Sequence, residues 1–231
     1  MTYDNITKAI FISRPNRFIA KVRLFDNQEE NATEETVHVK NTGRCKELLI
    51  PGCTVYLEKS KNPNRKTLYD LVAVEKETSQ GIKLFNIDSQ APNKVVLEWL
   101  KKQDYSLIKP EFTFGKSRFD FYLERIDEKT GKTEKILMEV KGCTLEIDGI
   151  GYFPDAPTER GVKHLNELAA AISEGYKGIL AFVIQMEGVF EVRPNRKTHP
   201  EFAEALEKAK DSGVEVLFLQ CRVKADELEI V

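Results

Sequence analysis

Asp120, in the run Ser117-Arg118-Phe119-Asp120-Phe121, and the triplet Glu139-Val140-Lys141 suit phosphate chemistry by residue type and spacing. Two carboxylates supply the oxygen ligands that Mg²⁺ (or Mn²⁺) prefers and leave room for water and a phosphate oxygen. Such a cation acidifies bound water and steadies charge on a transferring phosphoryl group. A lysine adds a compact positive charge for the attacking oxygen or the five-coordinate phosphorus. Asp120, Glu139 and Lys141 are therefore the candidate catalytic residues, and Asp120 and Glu139 the candidate metal ligands. A further ligand is expected from Glu98 or, more weakly, Glu111.

An acid-x-Lys triplet is common in a chain that is 31% charged, and Asp127-Glu128-Lys129 is a second example. That one lies in a polar run, Asp127–Lys132, that reads as a hairpin turn and thus as solvated surface. In Ile136–Lys141 the alternation of a strand puts Ile136, Met138 and Val140 on one face and Glu139 and Lys141 on the other. Asp120 alternates with Phe119, Phe121 and Leu123, which are expected to face away from it. A turn centred on Lys129-Thr130 sets Asp120 opposite Glu139, and one centred on Thr130-Gly131 sets it opposite Lys141. Either register brings the three polar groups to one face. The competing reading is a solvated cross-strand salt bridge, which contributes little.

The elements that position these residues fall into two textures. Residues 17–24 alternate, with Phe18, Ala20, Val22 and Leu24 on one face and basic residues on the other. Further strands are expected at 36–40, 54–59, 67–74 and 81–86, separated by turns at Asn41-Thr42-Gly43, Pro51-Gly52 and Asn62-Pro63-Asn64. Several short strands suggest a small barrel of the OB type over residues 1–83. From 84 to 231 helices interleave with strands. Asn93 is expected to cap a helix to about Lys102, with Trp99 in its core. Other helices are expected from Thr158 to Ser173 and over 200–211, with strands at 179–184 and 214–223. That alternation implies an α/β domain built on a mixed sheet.

Composition sets the outer bounds. The 41% apolar content is that of a folded globular protein, and no apolar run reaches the ~20 residues of a membrane span. Met1-Thr2-Tyr3-Asp4 lacks the start of a secretory signal, so a cytoplasmic location is expected. Cys45, Cys53, Cys143 and Cys221 have no metal-site spacing and are expected as ordinary thiols. Residues 1–80 hold 13 Lys and Arg against 11 Asp and Glu, and the remainder 22 against 26, which gives the overall −2. Five acids of the first part (Asp26, Glu29, Glu30, Glu34, Glu35) cluster in what reads as a loop held apart, which leaves the rest of that part basic. Arg17, Lys21, Arg44, Lys46, Arg65 and Lys66 are candidates for a groove along a nucleic-acid backbone. Arg160, Lys163 and His164, at a helix start, are candidates for phosphate contact, and Gln185 for a hydrogen bond in the site or at a strand end.

The stretch Phe153-Pro154-Asp155-Ala156-Pro157-Thr158-Glu159-Arg160-Gly161-Val162-Lys163-His164-Leu165 resembles the signature of the sugar fermentation stimulation protein A family. So do Asn41-Thr42-Gly43-Arg44, Glu47–Gly52, Arg65-Lys66-Thr67 with Tyr69-Asp70-Leu71, and Ser117–Phe121. The resemblance spans about residues 10 to 225 and implies an N-terminal OB-fold followed by a domain like the PD-(D/E)xK nucleases. It also implies that Asp120, Glu139 and Lys141 are the nuclease residues; Lys40, Gly142-Cys143 and His199-Pro200 depart from the family pattern but touch none of the three. The expectation is a Mg²⁺- or Mn²⁺-dependent nuclease on DNA or, less favoured, RNA. The alternative is a non-catalytic DNA-binding protein or regulator linked to sugar (maltose) metabolism.

Overall fold

The computed structural model describes residues 1–24, 33–41, 43–78 and 81–231. Asp26, Glu29, Glu30 and Thr42 lie outside them. Glu34 and Glu35, expected in an acidic loop, instead open a strand.

The first sheet is made of β1 (Ile6–Asn16), β2 (Ile19–Leu24), β3 (Glu34–Val39), β4 (Thr54–Lys59), β5 (Tyr69–Thr78) and β6 (Gly81–Asn86). β1 pairs with both β2 and β4, β4 with β5, and β2 with β3. Parallel pairing of β3 with β5 through His38↔Asp70 and Val39↔Leu71 closes five strands into a barrel with OB-fold connectivity. β6 extends the sheet beyond the barrel along β5. Inside are Ala9, Phe11, Ala20, Val22, Val37, Val39, Val55, Leu57 and Leu71. The expected alternation of β2 holds for Ala20 and Val22, but Phe18 is 51% exposed. The cause is local: Asn16 Oδ1 accepts from the Phe18 and Ile19 N–H groups, which closes the hairpin and takes Phe18 out of the strand.

The second part begins with α1 (Ala91–Leu100), then β7 (Leu107–Phe114), β8 (Ser117–Ile126), β9 (Thr133–Cys143), β10 (Leu145–Ile147) and β11 (Ile150–Phe153). It continues with α2 (Glu159–Ser173), β12 (Lys177–Ile184), β13 (Val192–Pro194), α3 (Pro200–Asp211), β14 (Glu215–Lys224) and β15 (Glu227–Ile230). The sheet runs β15-β14-β12-β9-β8-β7, parallel across β9, β12 and β14 and antiparallel at both edges. Helix α1 covers one face, burying Val95, Val96 and Leu100 with Phe121, Met138 and Val140. On the other face α2 and α3 bury Leu165, Leu168, Phe202 and Leu206 with Leu137, Leu180 and Phe182. β12 is apolar along its length because both its faces are covered. Thr158 caps α2 through its side chain, as its sequence position suggests, by accepting from the Gly161 N–H. Asn93 does not cap α1: the helix starts earlier, with Pro92 in its first turn, where a missing N–H costs nothing.

A buried polar network joins the barrel to the second part. Lys40 Nζ lies 3.2 Å from Glu58, 3.4 Å from Asp70 and 3.5 Å from Asp88. Asp70 also takes two bonds from Arg65, at 2.8 and 2.9 Å, and one from His38 Nδ1 at 2.8 Å. Asn86 donates to Tyr3 and accepts from Gln185, whose amide also reaches the Asp88 carbonyl. Burial alone would raise the Asp70 carboxyl, but the Arg65 and His38 bonds and the Lys40 charge outweigh it and bring it down to about 2. A folded-state value below the unfolded ~3.9 means that stabilisation is complete above that pH and is lost as pH falls through about 2. Asp70→Ala is expected to destabilise by about 2 kcal/mol at neutral pH, because Arg65 and His38 lose their carboxylate while Lys40 keeps Glu58 and Asp88. It should also flatten the fall in urea midpoint that the native protein shows between about pH 5 and pH 2; an equally steep fall in the variant would contradict this.

Candidate active site

β8 and β9 pair from Ile126↔Thr133 to Phe121↔Met138, the register that sets Asp120 opposite Glu139. There the ladder ends. Asp120 Oδ2 accepts the Val140 N–H at 2.7 Å, so a side chain takes a bond that the neighbouring backbone would otherwise hold. Asp120 Oδ1 accepts from Asn93 Nδ2, also at 2.7 Å, which ties the aspartate to the first turn of α1. The strand changes parity here. Phe121 and Leu123 pack on the α1 side, whereas Phe119 packs on the α2 side, 5.8 Å from the His164 ring, so the three do not share a face as alternation predicts. The partner strand is irregular at the same level, with Glu111 between the paired Pro110 and Phe112 at φ 54°.

Glu139 is 2% exposed and points at α2. Its Oε1 takes both Lys141 Nζ and His164 Nδ1 at 2.5 Å. Its Oε2 is buried and has no hydrogen-bond partner among the described residues. Burial pushes the Glu139 carboxyl up, but the His164 bond and the Lys141 charge reverse this and hold it below the usual range. Asp120 goes the other way: burial and the Glu139 charge raise it against the Val140, Asn93 and Lys141 contributions. An unpartnered buried carboxylate oxygen beside a second carboxylate fits a hard divalent cation. No group of three His, Cys, Asp or Glu side chains among the described residues is arranged to hold a metal.

Of the two further ligands expected, Glu111 lies on β7 at the level of Asp120, and Glu98 lies at the far end of α1. Glu98 lies on the last turn of α1, more than half exposed, and binds the Met1 ammonium at 2.7 Å. Glu111 is exposed and lies 3.6 Å from Arg118. His164, expected on a phosphate-binding surface, is 4% exposed and orients Glu139 instead. Asn93, expected from sequence only as a helix cap, stands in the first turn of α1 and holds Asp120 instead.

Two concavities border the site, and a third adjoins the second of them at Gly43. Lys116, Ser117, Arg118, Arg160 and Lys163 line the first, with His164 at its floor. The second is a narrow cleft between barrel and sheet, lined by Asn41, Gly43, Ser89, Gly142, Asp155 and Gln185. A Cβ on Gly142 would come within 2.4 Å of Gln185 Oε1 and 2.8 Å of the Pro92 ring, so glycine lets α1 and the Gln185 amide pack close to the residue after Lys141. Asp155 crosses the cleft and accepts the Arg44 N–H at 3.0 Å. Arg14, Arg17, Arg44 and Lys46 line the third. Of the expected basic groove, Lys66 is exposed beyond these concavities, Lys21 pairs with Glu34 at 2.9 Å, and Arg65 is held by Asp70. All four cysteines are free, and Trp99 packs at the edge of the α1-side core. Among the described residues no helix is long and apolar enough to cross a membrane.

The raised Asp120 carboxyl carries a stability consequence. A folded-state value above the unfolded one means that the contribution favours folding in acid and is lost as pH rises through the folded value. At neutral pH without divalent cations, Asp120→Asn is therefore expected to raise stability by about 1 kcal/mol, the exchange seen when a functional charge is removed. Thermal melts in chelator check this, and a lower Tm for the variant would contradict it. Millimolar Mg²⁺ should then raise the Tm of the native protein and not that of the variant.

Comparison with known proteins agrees with the two-part architecture. A family described as "SfsA N-terminal OB domain" matches residues 12–82, and one described as "Sugar fermentation stimulation protein RE domain" matches residues 90–227. The sugar fermentation stimulation protein homolog of Desulfitobacterium hafniense (strain Y51) is 51% identical over 232 residues, 99% of this chain and 95% of its own length. That of Clostridium beijerinckii is 51% identical over 234 residues, 100% of this chain and 96% of its own. The solved structure described as Pyrococcus furiosus SfsA in complex with Ca²⁺ superposes with a TM-score of 0.79 at 28% identity, covering 100% of this chain and 96% of that one. With both domains matched and half-identical relatives along its whole length, the chain belongs to the sugar fermentation stimulation protein (SfsA) family.

Proposed function

We propose that this protein is a metal-dependent nuclease that cuts a phosphodiester at Asp120, Glu139 and Lys141 and holds the polynucleotide with its barrel. One observation carries the reading: Glu139 presents a buried, unpartnered carboxylate oxygen next to the Asp120 carboxylate, with a lysine at the same point. The order helix, three antiparallel strands, helix, parallel strand (α1, β7, β8, β9, α2, β12) is the frame expected of a PD-(D/E)xK nuclease domain. Ca²⁺ in the Pyrococcus furiosus relative is consistent with a cation site of oxygen donors in the family.

Asp120 and Glu139 would hold Mg²⁺ (or Mn²⁺). When bound, the cation supplies an acidified water and neutralises charge on the phosphate. The chain's own groups do the rest. Asn93 and the Val140 N–H fix the Asp120 carboxylate, and His164 fixes that of Glu139, so neither must reorganise during reaction. Lys141, held on Glu139 Oε1, would offer its ammonium to the attacking oxygen or a non-bridging phosphate oxygen. Lys116, Arg118, Arg160 and Lys163 offer positive charge to the phosphates beside the scissile one.

Labelled single- and double-stranded DNA and RNA, incubated with Mg²⁺, Mn²⁺ or chelator, test the reading. Cleavage is expected with metal only. Lys141→Ala should slow it by roughly a hundredfold or more at unchanged fold, as removal of a transition-state charge does, and Asp120→Asn should abolish it. Cleavage that survives chelator and both substitutions would refute the assignment. Salt-dependent binding with no cleavage in any metal would instead favour a non-catalytic nucleic-acid-binding protein.

A further inference from the structure

We propose that the tip of the β1–β2 hairpin is a base-stacking platform, with Phe18 taking the face of an unpaired base, so that the strand held along the barrel is single. The direction of that strand, toward Lys141, rests on the nuclease reading; the stacking does not.

Phe18 is exposed yet fixed. Its N–H donates to Asn16 Oδ1 at 2.9 Å, and its carbonyl accepts from the Val39 N–H at 2.8 Å. A ring on so rigid a turn presents its face with little ordering left to do on binding. The Arg17 guanidinium lies 5.9 Å from the ring centroid, which places a cation beside the apolar face. Phe190 is also exposed, at 67%, but it precedes Glu191 in the chain and has no concentration of positive charge.

Behind Phe18 lies the concavity of about 480 Å³ whose wall carries Arg14, Arg17, Arg44 and Lys46 and no acidic side chain. Arg14 builds it. Its guanidinium donates to the carbonyls of Arg17, Asn41 and Arg44 at 2.7, 2.6 and 2.8 Å and so ties the hairpin to the loop after β3. No ion pair among the described residues engages the side chains of Arg17, Arg44 or Lys46, so they remain available to phosphate oxygens. The barrel register extends the same rim. Ile19 pairs with His38 and His38 with Asp70, so the loop between β4 and β5, which carries exposed Lys66, opens at the Phe18 end. These two loops are the ones with which OB barrels grip oligonucleotides.

A row of cations tracks any polyanion, but a ring standing among them selects for an accessible base face. A duplex hides its base faces in the stack, whereas a single strand offers them. Gly43 lines both this concavity and the cleft at Gly142, the residue after Lys141, so a strand on the rim leads to the candidate site.

Binding of labelled oligonucleotides in chelator at about 50 mM salt tests the platform. The ligands are a single strand, the corresponding duplex and an abasic strand of equal length. Phe18→Ala is expected to weaken single-strand binding roughly tenfold, to leave the duplex and abasic strand unchanged, and to be rescued by Phe18→Trp. Unchanged single-strand affinity, an equal loss on all three ligands, or no binding by the native protein would overturn the inference. Cleavage is assayed separately with Mg²⁺. A Phe18 effect without cleavage sinks the nuclease reading alone, and cleavage without a Phe18 effect sinks the platform alone.

Discussion

The organisation of the second domain turns on one buried carboxylate. Glu139 sits on a strand enclosed between β8 and β12 and faces a helix, where an isolated carboxylate would lose several kcal/mol of hydration. The fold offsets this unevenly: Lys141 and His164 converge on one oxygen and leave the other bare. That asymmetry explains why neighbouring elements sit where they do. α2 must cross this strand with its first turns at the level of Glu139, and Thr158 starts the helix early enough for His164 to arrive there.

The same economy joins the two halves. The cleft next to Lys141 is lined by close contacts at two glycines: Gly142 against Gln185 and Pro92, and Gly43 against Asp155 and Asn41. Asp155 belongs to the loop before α2 and bonds the backbone of the barrel's Arg44 loop, while Lys40 and Asp88 connect barrel and α1 from beneath. The loop that carries Arg44 is therefore set by the element that delivers His164. A shift of the barrel and a shift of the candidate site are mechanically one event.

Much of this was legible in the sequence. Strand period placed Glu139 and Lys141 on one face, and one of the two hairpin registers open from the turn is the one observed. Both long helices of the second part, and strands 54–59 and 81–86, follow directly from their patterns. What failed has a common cause: periodicity assumes an unbroken element. Asp120 breaks its ladder by bonding Val140, so Phe119 changes sides, and Asn16 closes a tight turn, so Phe18 leaves the core. Arg65 and Glu98 failed for another reason. Their types suit a phosphate and a metal, but which charge reaches which partner is decided by the three-dimensional neighbourhood, and theirs are Asp70 and the amino terminus.

The site's sparseness also bears on why the chain has two parts. On the proposed reading, two carboxylates and a lysine contact only the reacting phosphate and leave the rest of a polynucleotide to be held elsewhere. Binding through remote parts of a substrate can compensate, because contacts far from the reacting bond position it without being repeated at the chemistry. On the proposed reading the barrel supplies those contacts, and its cations stand on a rim that the Asp155 and Arg14 bonds hold rigid against the sheet domain. Affinity and bond-breaking are then assigned to different domains, and the close-packed glycines of the cleft keep them in register.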